Sequence, residues 1–139
     1  MKRIIVLALT LILCVALVAC GAGESFVIGN WSGNYIYEGN TTSTNVDNNT
    51  VLSPNDPMEL TLSIYKGGAC QIIRYDIKTA WSRTYTGTWE LNDGVLVLSM
   101  NSDSGGIQTV GYEIVIENDS ASLIPQGDSW AYPSLTKKN

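Results

Sequence analysis

The side chains that could do chemistry are few, and their spacing excludes more than it offers. The chain has no histidine, which removes imidazole-based general acid–base catalysis. Its cysteines, Cys14, Cys20 and Cys70, form no Cys-x-x-Cys, so a thiol-redox pair and the usual zinc framework are out as well. Glu113 and Glu117 share one face of a strand-like run, about 13 Å apart by strand rise. A glycosidase pair needs about 5–9.5 Å, so the two read as a solvated outer face. Asn101, Asp103 and Gly105 present oxygen ligands but lack the regular spacing and closing Glu of a calcium loop. Serines abound, yet without His or a Ser-x-x-Lys motif none has an activator. The residues therefore predict no enzyme, no metal and no cofactor. What remains is aromatic: Trp31, Trp81, Trp89 and Trp130, with seven tyrosines, offer stacking faces to a sugar or an apolar ligand. Trp81, Trp130 and Tyr132 lie in irregular segments and are the candidate ligand-binding residues. Trp89 belongs to a patterned strand and is expected in the core.

The elements that must position these residues read as strands. Tyr85 to Met100 carries two runs rich in Thr, Val, Leu and aromatics on either side of Asp93-Gly94, a strong hairpin signal. A two-residue turn there pairs Leu91 with Leu96, Trp89 with Leu98 and Gly87 with Met100, all on one face. Thr84, Thr86, Thr88 and Glu90 then point toward water. Asn30 to Glu38 has strand composition, with Gly33 a bulge or a point of close approach. Gly39 to Pro57, almost wholly Asn, Thr, Ser, Asp and Pro, is a long loop without periodicity, either disordered or a lid or partner-contacting segment. Met58 to Tyr65 alternates cleanly, placing Met58, Leu60, Leu62 and Ile64 on one face.

Gly67-Gly68 turns that strand into Ala69–Asp76. A two-residue turn pairs Leu62 with Ile73 and Leu60 with Tyr75 in the core and leaves Cys70 outside, and this is the preferred register. A three-residue turn would bring Cys70 and Ile72 inside instead. Lys78 to Ser82 is a connection, and Asn101 to Gly106 a loop. Gln108 to Glu117 puts Val110, Tyr112, Ile114 and Ile116 on one face, and Asn118-Asp119 turns into Ser120–Ile124. Val95 and Val97, with Ile72 and Val115, could form an outer apolar patch for a partner or the C-terminal tail. There is no helix of convincing length and no solenoid repeat. The fold class is all-β: an antiparallel up-and-down meander of seven strands, eight if Ser129–Leu135 pairs, curling into a small barrel to remove its edges.

The N-terminus reads as an export signal. Lys2 and Arg3 precede an apolar run from Ile4 to Ala19, broken only by Thr10. Leu17-Val18-Ala19-Cys20 resembles the lipobox of bacterial lipoproteins. The resemblance implies a signal peptide over residues 1–19, diacylglyceryl on the Cys20 sulfur, fatty acylation (palmitate-type) of the new amino terminus and a lipidated tether over residues 20–28. Two or more acyl chains, at about 0.8 kcal/mol per buried methylene, give stable anchoring. With Cys14 removed and Cys20 consumed, Cys70 has no intramolecular partner. The processed chain of 120 residues suffices for one domain, over residues 29–135 with a tail over 136–139. Without Lys2 and Arg3, six basic residues face 13 acidic ones, a net charge of −7. That acidity argues against nucleic acid as a partner.

Gly29-Asn30-Trp31 resembles the Gly-x-Trp of lipocalins, and Tyr85-Thr-Gly-Thr-Trp89 with Leu91–Leu98 is similar to their repeated hairpin. The similarity to lipocalin-like (calycin-type) barrels of bacterial lipoproteins spans roughly residues 29–124. Lipocalins also pack a late Arg over the first-strand Trp; no Arg follows Arg83 in this chain. The resemblance implies the architecture and no particular ligand. The functional expectation is a non-enzymatic, membrane-anchored, extracytoplasmic lipoprotein of the cell membrane or outer envelope. It would bind a small apolar ligand or an envelope protein, with Trp81, Trp130 and the loop over 39–57 rimming one barrel end. The alternative is a structural or interaction module of the envelope with a filled barrel. An interior cavity of about 300 Å³ or more favours the former and close packing the latter.

Overall fold

The computed structural model describes residues 23–38, 43–44, 50–52, 55–102, 105–127 and 132–139. The signal segment, Cys20 and Trp130 lie outside the described residues. One helical turn, α1 (Gly23–Val27), leads into β1 (Gly29–Ile36). Residues 23–27 belong to the stretch read as a tether. They fold because Phe26 and Val27 are apolar, and Val27 is fully buried in the core. Within the long polar connection, β2 (Ser43–Thr44) and β3 (Thr50–Leu52) pair as a separate two-stranded sheet. There follow β4 (Pro57–Ile64), β5 (Ala69–Asp76), β6 (Ser82–Asn92), β7 (Val95–Asn101), β8 (Ile107–Glu117), β9 (Ser120–Pro125) and β10 (Leu135–Lys137). The protein is all-β: β1 and β4 to β10 pair antiparallel in meander order and close into an eight-stranded barrel.

The hairpin of β6 and β7 has the register its turn chemistry demands. Leu91 lies opposite Leu96, Trp89 opposite Leu98 and Gly87 opposite Met100. Asp93 and Gly94 both hold positive φ, +51° and +80°, the geometry that matches the right-handed twist of the flanking strands. Thr84, Thr86, Thr88 and Glu90 are exposed, and Leu96, Leu98 and Met100 are buried. Asn118 and Asp119 repeat the device between β8 and β9, again with both φ positive. Trp89 packs half-buried against the core, its indole N–H donating to the Tyr65 carbonyl at 2.8 Å. On β8, Val110 and Tyr112 are buried, but Ile116 emerges at the strand end and is exposed.

The turn between β4 and β5 departs from the expected register. Leu62 faces Ile72, Leu60 faces Arg74, and Ile64 faces Cys70. The loop is one residue longer than a two-residue turn and is closed by the Tyr65 N–H on the Ala69 carbonyl at 3.0 Å. A one-residue slip exchanges the two faces of a strand. Cys70 and Ile72 are therefore inside, 3% and 1% exposed, while Tyr75 is turned outward at 37%. With Ile72 in the core, the outer patch suggested by the valines loses that member.

Closure depends on a short eighth strand. β10 pairs with β9 through Leu135 and Leu123, and with β1 through Trp31 and Lys137. Gly33 is the point of close approach: a Cβ built there would sit 2.1 Å from the Ser134 carbonyl oxygen. Replacing Gly33 by Ala should push β10 off β1 and destabilise the fold by roughly 1–3 kcal/mol, the usual cost of overpacking. Chemical denaturation with early proteolysis after residue 127 is the readout, and a variant as stable as the parent would contradict this closure.

Candidate functional site

The two ends of the barrel differ in chemistry. At one end stand α1, the start of β1 and the end of β10. Trp31 is fully buried there, and its indole N–H donates to the Val27 carbonyl at 2.8 Å. Phe26 meets it edge-on, ring centroids 6.3 Å apart. Lys137 lays its ammonium 4.9 Å from the Phe26 centroid and 5.4 Å from that of Trp31, and donates to the Phe26 carbonyl. The cation over the first-strand Trp is thus a Lys from the closing strand. Above this plug, Leu60, Leu62, Ile64, Leu96, Leu98, Leu123 and Leu135 fill the barrel with their own side chains.

The other end receives the chain's longer connections: from β1 to β4, β5 to β6, β7 to β8 and β9 to β10. The interior is open here, in a cavity of about 110 Å³ lined by Ile72, Arg74, Tyr85, Met100, Asn101, Ser102, Gln108 and Tyr132. An open groove of about 300 Å³, lined by Glu24, Gly67, Gly68, Trp89, Glu90, Leu91 and Asn92, lies on the outside at the opposite end. It is larger but more open and flanked by two carboxylates, so the smaller, more enclosed cavity is the better candidate site.

Arg74 is the chemical centre of that cavity. Its guanidinium stands 5.1 Å from the Tyr132 ring centroid and 5.5 Å from that of Tyr85. Arg83, directly opposite on β6, approaches the same Tyr85 ring at 5.8 Å. Among the described residues no carboxylate comes within ion-pair distance of Arg74, and its buried Nε–H has no protein acceptor. Tyr35, outside the cavity wall itself, sets its buried hydroxyl beside the Arg74 guanidinium. Burial pushes the Tyr35 and Tyr132 hydroxyls up in pKa, against the opposing pull of Arg74. Burial, reinforced by Tyr132, raises Tyr112 further. All three phenols are neutral donors at physiological pH. A cation–π contact contributes about 0.5–2 kcal/mol, whereas withdrawing a cation from water costs several kcal/mol. The aromatic faces offset that cost only in part and leave the Nε–H unmatched.

Of the residues singled out from sequence, Tyr132 lines the cavity, buried, with its hydroxyl donating to Gln108 Oε1 at 3.0 Å. Trp81 is half-buried in the β5–β6 connection, where its carbonyl accepts from the Asp76 N–H at 2.8 Å, and it is not part of the cavity wall. Arg74 and Asp76 escaped notice because the two-residue register placed both outside. The three-residue alternative, with Cys70 and Ile72 inside, would have turned them inward. Asp76 is fully buried: Oδ1 accepts from the Lys78 and Thr79 N–H groups at 2.8 and 3.2 Å, shaping the turn, and Oδ2 has no protein donor.

No family model matches the chain, and no curated protein or solved structure matches it. The class rests on architecture: a closed, antiparallel, up-and-down barrel of eight strands, compatible with the lipocalin-like barrels. Among the described residues no helix is long and apolar enough to cross a membrane.

Cys70 sits in the core with its Sγ 3.5 Å from the Met100 Sδ, and burial raises its thiol from 9.0 to about 11. The unfolded chain loses that proton first as pH rises, so the folded state binds more protons through this window. Stability attributable to Cys70 should be intact below pH 9 and decline between 9 and about 11. Peptide mapping after iodoacetamide treatment should find Cys70 unmodified near neutral pH in the folded chain and modified in denaturant. Equal labelling in both states would refute the buried placement.

Proposed function

We propose that the protein is a non-enzymatic, lipid-anchored lipoprotein on the extracytoplasmic side of the cell membrane or outer envelope. Its filled barrel acts as an interaction module that engages an envelope protein. The observation that carries this reading is the interior. Core side chains occupy the barrel body, and the cavity left at the mouth is about 110 Å³, well below the roughly 300 Å³ of a typical ligand pocket. An apolar guest of lipid size has no room.

The lipobox-like Leu17-Val18-Ala19-Cys20 supports the anchor. From Cys20 to the first described residue, Gly23, the chain can reach only about 10 Å. The α1 end, with Lys137 and Lys138, would then face the bilayer and the mouth would point away from it. Exposed apolar residues lie at that far end: Ile36 where β1 finishes, Ile77 after β5, and Ile107, 72% exposed, where β8 begins. They supply contact surface for a protein. The thiol of Cys70, buried and raised in pKa, is a poor nucleophile, which agrees with a role without bond-breaking chemistry.

A photo-crosslinking residue at Ile77, in the full chain expressed in its own envelope, should capture one discrete protein adduct. The same residue at Asp93, on the bilayer-facing end, should capture none. The mass of the purified chain should show removal of the first 19 residues and acylation at Cys20. A lipid or pigment recovered one-to-one from inside the barrel would overturn the filled-barrel reading, and an unprocessed cytoplasmic chain would overturn the anchor.

A further inference from the structure

The mouth of the barrel holds a cation, and among the described residues no carboxylate pairs with it. Arg74 projects inward from β5 toward the cavity, flanked by the faces of Tyr85 and Tyr132, with its Nε–H buried and unmatched. The nearest carboxylate along its own strand, Asp76, turns Oδ1 to the Lys78 and Thr79 N–H groups and makes no ion pair with Arg74. Directly across the ladder stands a second cation, Arg83, over the same Tyr85 ring. A negative group beside Arg74 would meet the Nε–H that the protein leaves unmatched.

The walls say what kind of negative group fits. A guanidinium presents a planar fork that matches a carboxylate through two parallel N–H···O bonds. The Tyr35 hydroxyl, buried beside the guanidinium though not in the cavity wall, is a further neutral donor with no acceptor of its own. Beside these polar atoms, Ile72 and Met100 give the cavity its apolar surface. At about 110 Å³ the space exceeds the roughly 10–15 Å³ that a single water needs, yet it does not admit a long acyl chain. We propose that this mouth is a binding site for a small organic acid, whose carboxylate pairs with Arg74 and whose short aliphatic stem lies against Ile72 and Met100. The assignment goes beyond the interaction reading and does not depend on the lipid anchor. The chain's overall negative charge does not oppose it, because charges beyond about 8–10 Å are largely screened at physiological ionic strength.

The full chain in a nonionic detergent is titrated with acetate and with propionate by calorimetry, while melting is followed by intrinsic fluorescence. Both acids should bind saturably and raise Tm, propionate more than acetate because its longer stem reaches the apolar wall. Acetamide, the neutral isostere, should do neither, and chloride at equal ionic strength should not reproduce the effect. Arg74→Gln should weaken binding by about tenfold or more, as loss of a charge-assisted pair implies. Lys66→Gln removes the same charge at the far end and should leave binding unchanged. In case Arg74→Gln fails to fold, the unmutated chain supplies an independent readout. One arginine Nε–H nuclear magnetic resonance signal should shift saturably with acetate and stay fixed with acetamide. The assignment falls if inorganic phosphate or chloride matches acetate, if Lys66→Gln weakens binding as much as Arg74→Gln, or if no arginine signal moves.

Discussion

Which parity of β5 faces the barrel interior is decided outside β5. Trp89, on the neighbouring strand, holds the Lys66-Gly67-Gly68 loop at two points. Its backbone N–H donates to the Gly68 carbonyl at 2.8 Å, and its indole N–H to the Tyr65 carbonyl, also at 2.8 Å. Those two bonds favour the longer loop, and the longer loop sends Cys70, Ile72, Arg74 and Asp76 inward. Were the turn one residue shorter, Gln71, Ile73 and Tyr75 would line the barrel and the mouth would carry no inward cation. The inward face of β5, and with it the chemistry of the interior, goes with the loop that these two Trp89 bonds hold.

Closure works by a similar economy. β10 contributes three residues to the wall, yet it joins β9 to β1 and removes both sheet edges, which an open meander would expose to other chains. The strand can fit because Gly33 lets the Ser134 carbonyl approach where any side chain would collide. Lys137 then reaches past the wall to the Phe26 and Trp31 rings. The same strand therefore finishes the barrel and seals its base, so the two ends acquire different characters: one plugged by aromatic packing, the other open.

The sequence made the regular parts of this fold legible because turn chemistry and hydrophobic alternation agreed there. Asp93-Gly94 and Asn118-Asp119 each demand positive φ at adjacent positions, and both hairpins have the register their patterns imply. Around Gly67-Gly68 the two signals did not converge. Ala69 to Asp76 carries Cys and Ile on one parity and Ile and Tyr on the other, so hydrophobicity alone leaves the strand free to turn either way, and the deciding bonds come from a residue twenty positions downstream. Tyr132 was legible as an aromatic in an irregular segment. Arg74 was not, since its importance exists only once the register is known. The role of Lys137 was hidden for another reason: the lipocalin pattern directs attention to an Arg, while an ammonium on the closing strand meets the same π-faces.

A barrel of this girth has two ways to use its interior, as packed core or as container, and here the division runs along its axis. Below the level of Ile72 the leucines fill the body of the barrel, and the fold gains the stability of a continuous core. At the mouth the packing gives way to Arg74, Tyr35, Tyr85 and Tyr132, polar groups that an ordinary small-domain core would exclude. Their presence has a structural cost that the aromatic contacts offset only in part. A chain selected for stability alone would place an apolar residue at position 74, beside Ile72 on its own strand and opposite Leu60 on β4. An arginine stands there instead, with a second arginine across the ladder, and it gives the mouth a polar character that the leucine-filled body of the barrel lacks.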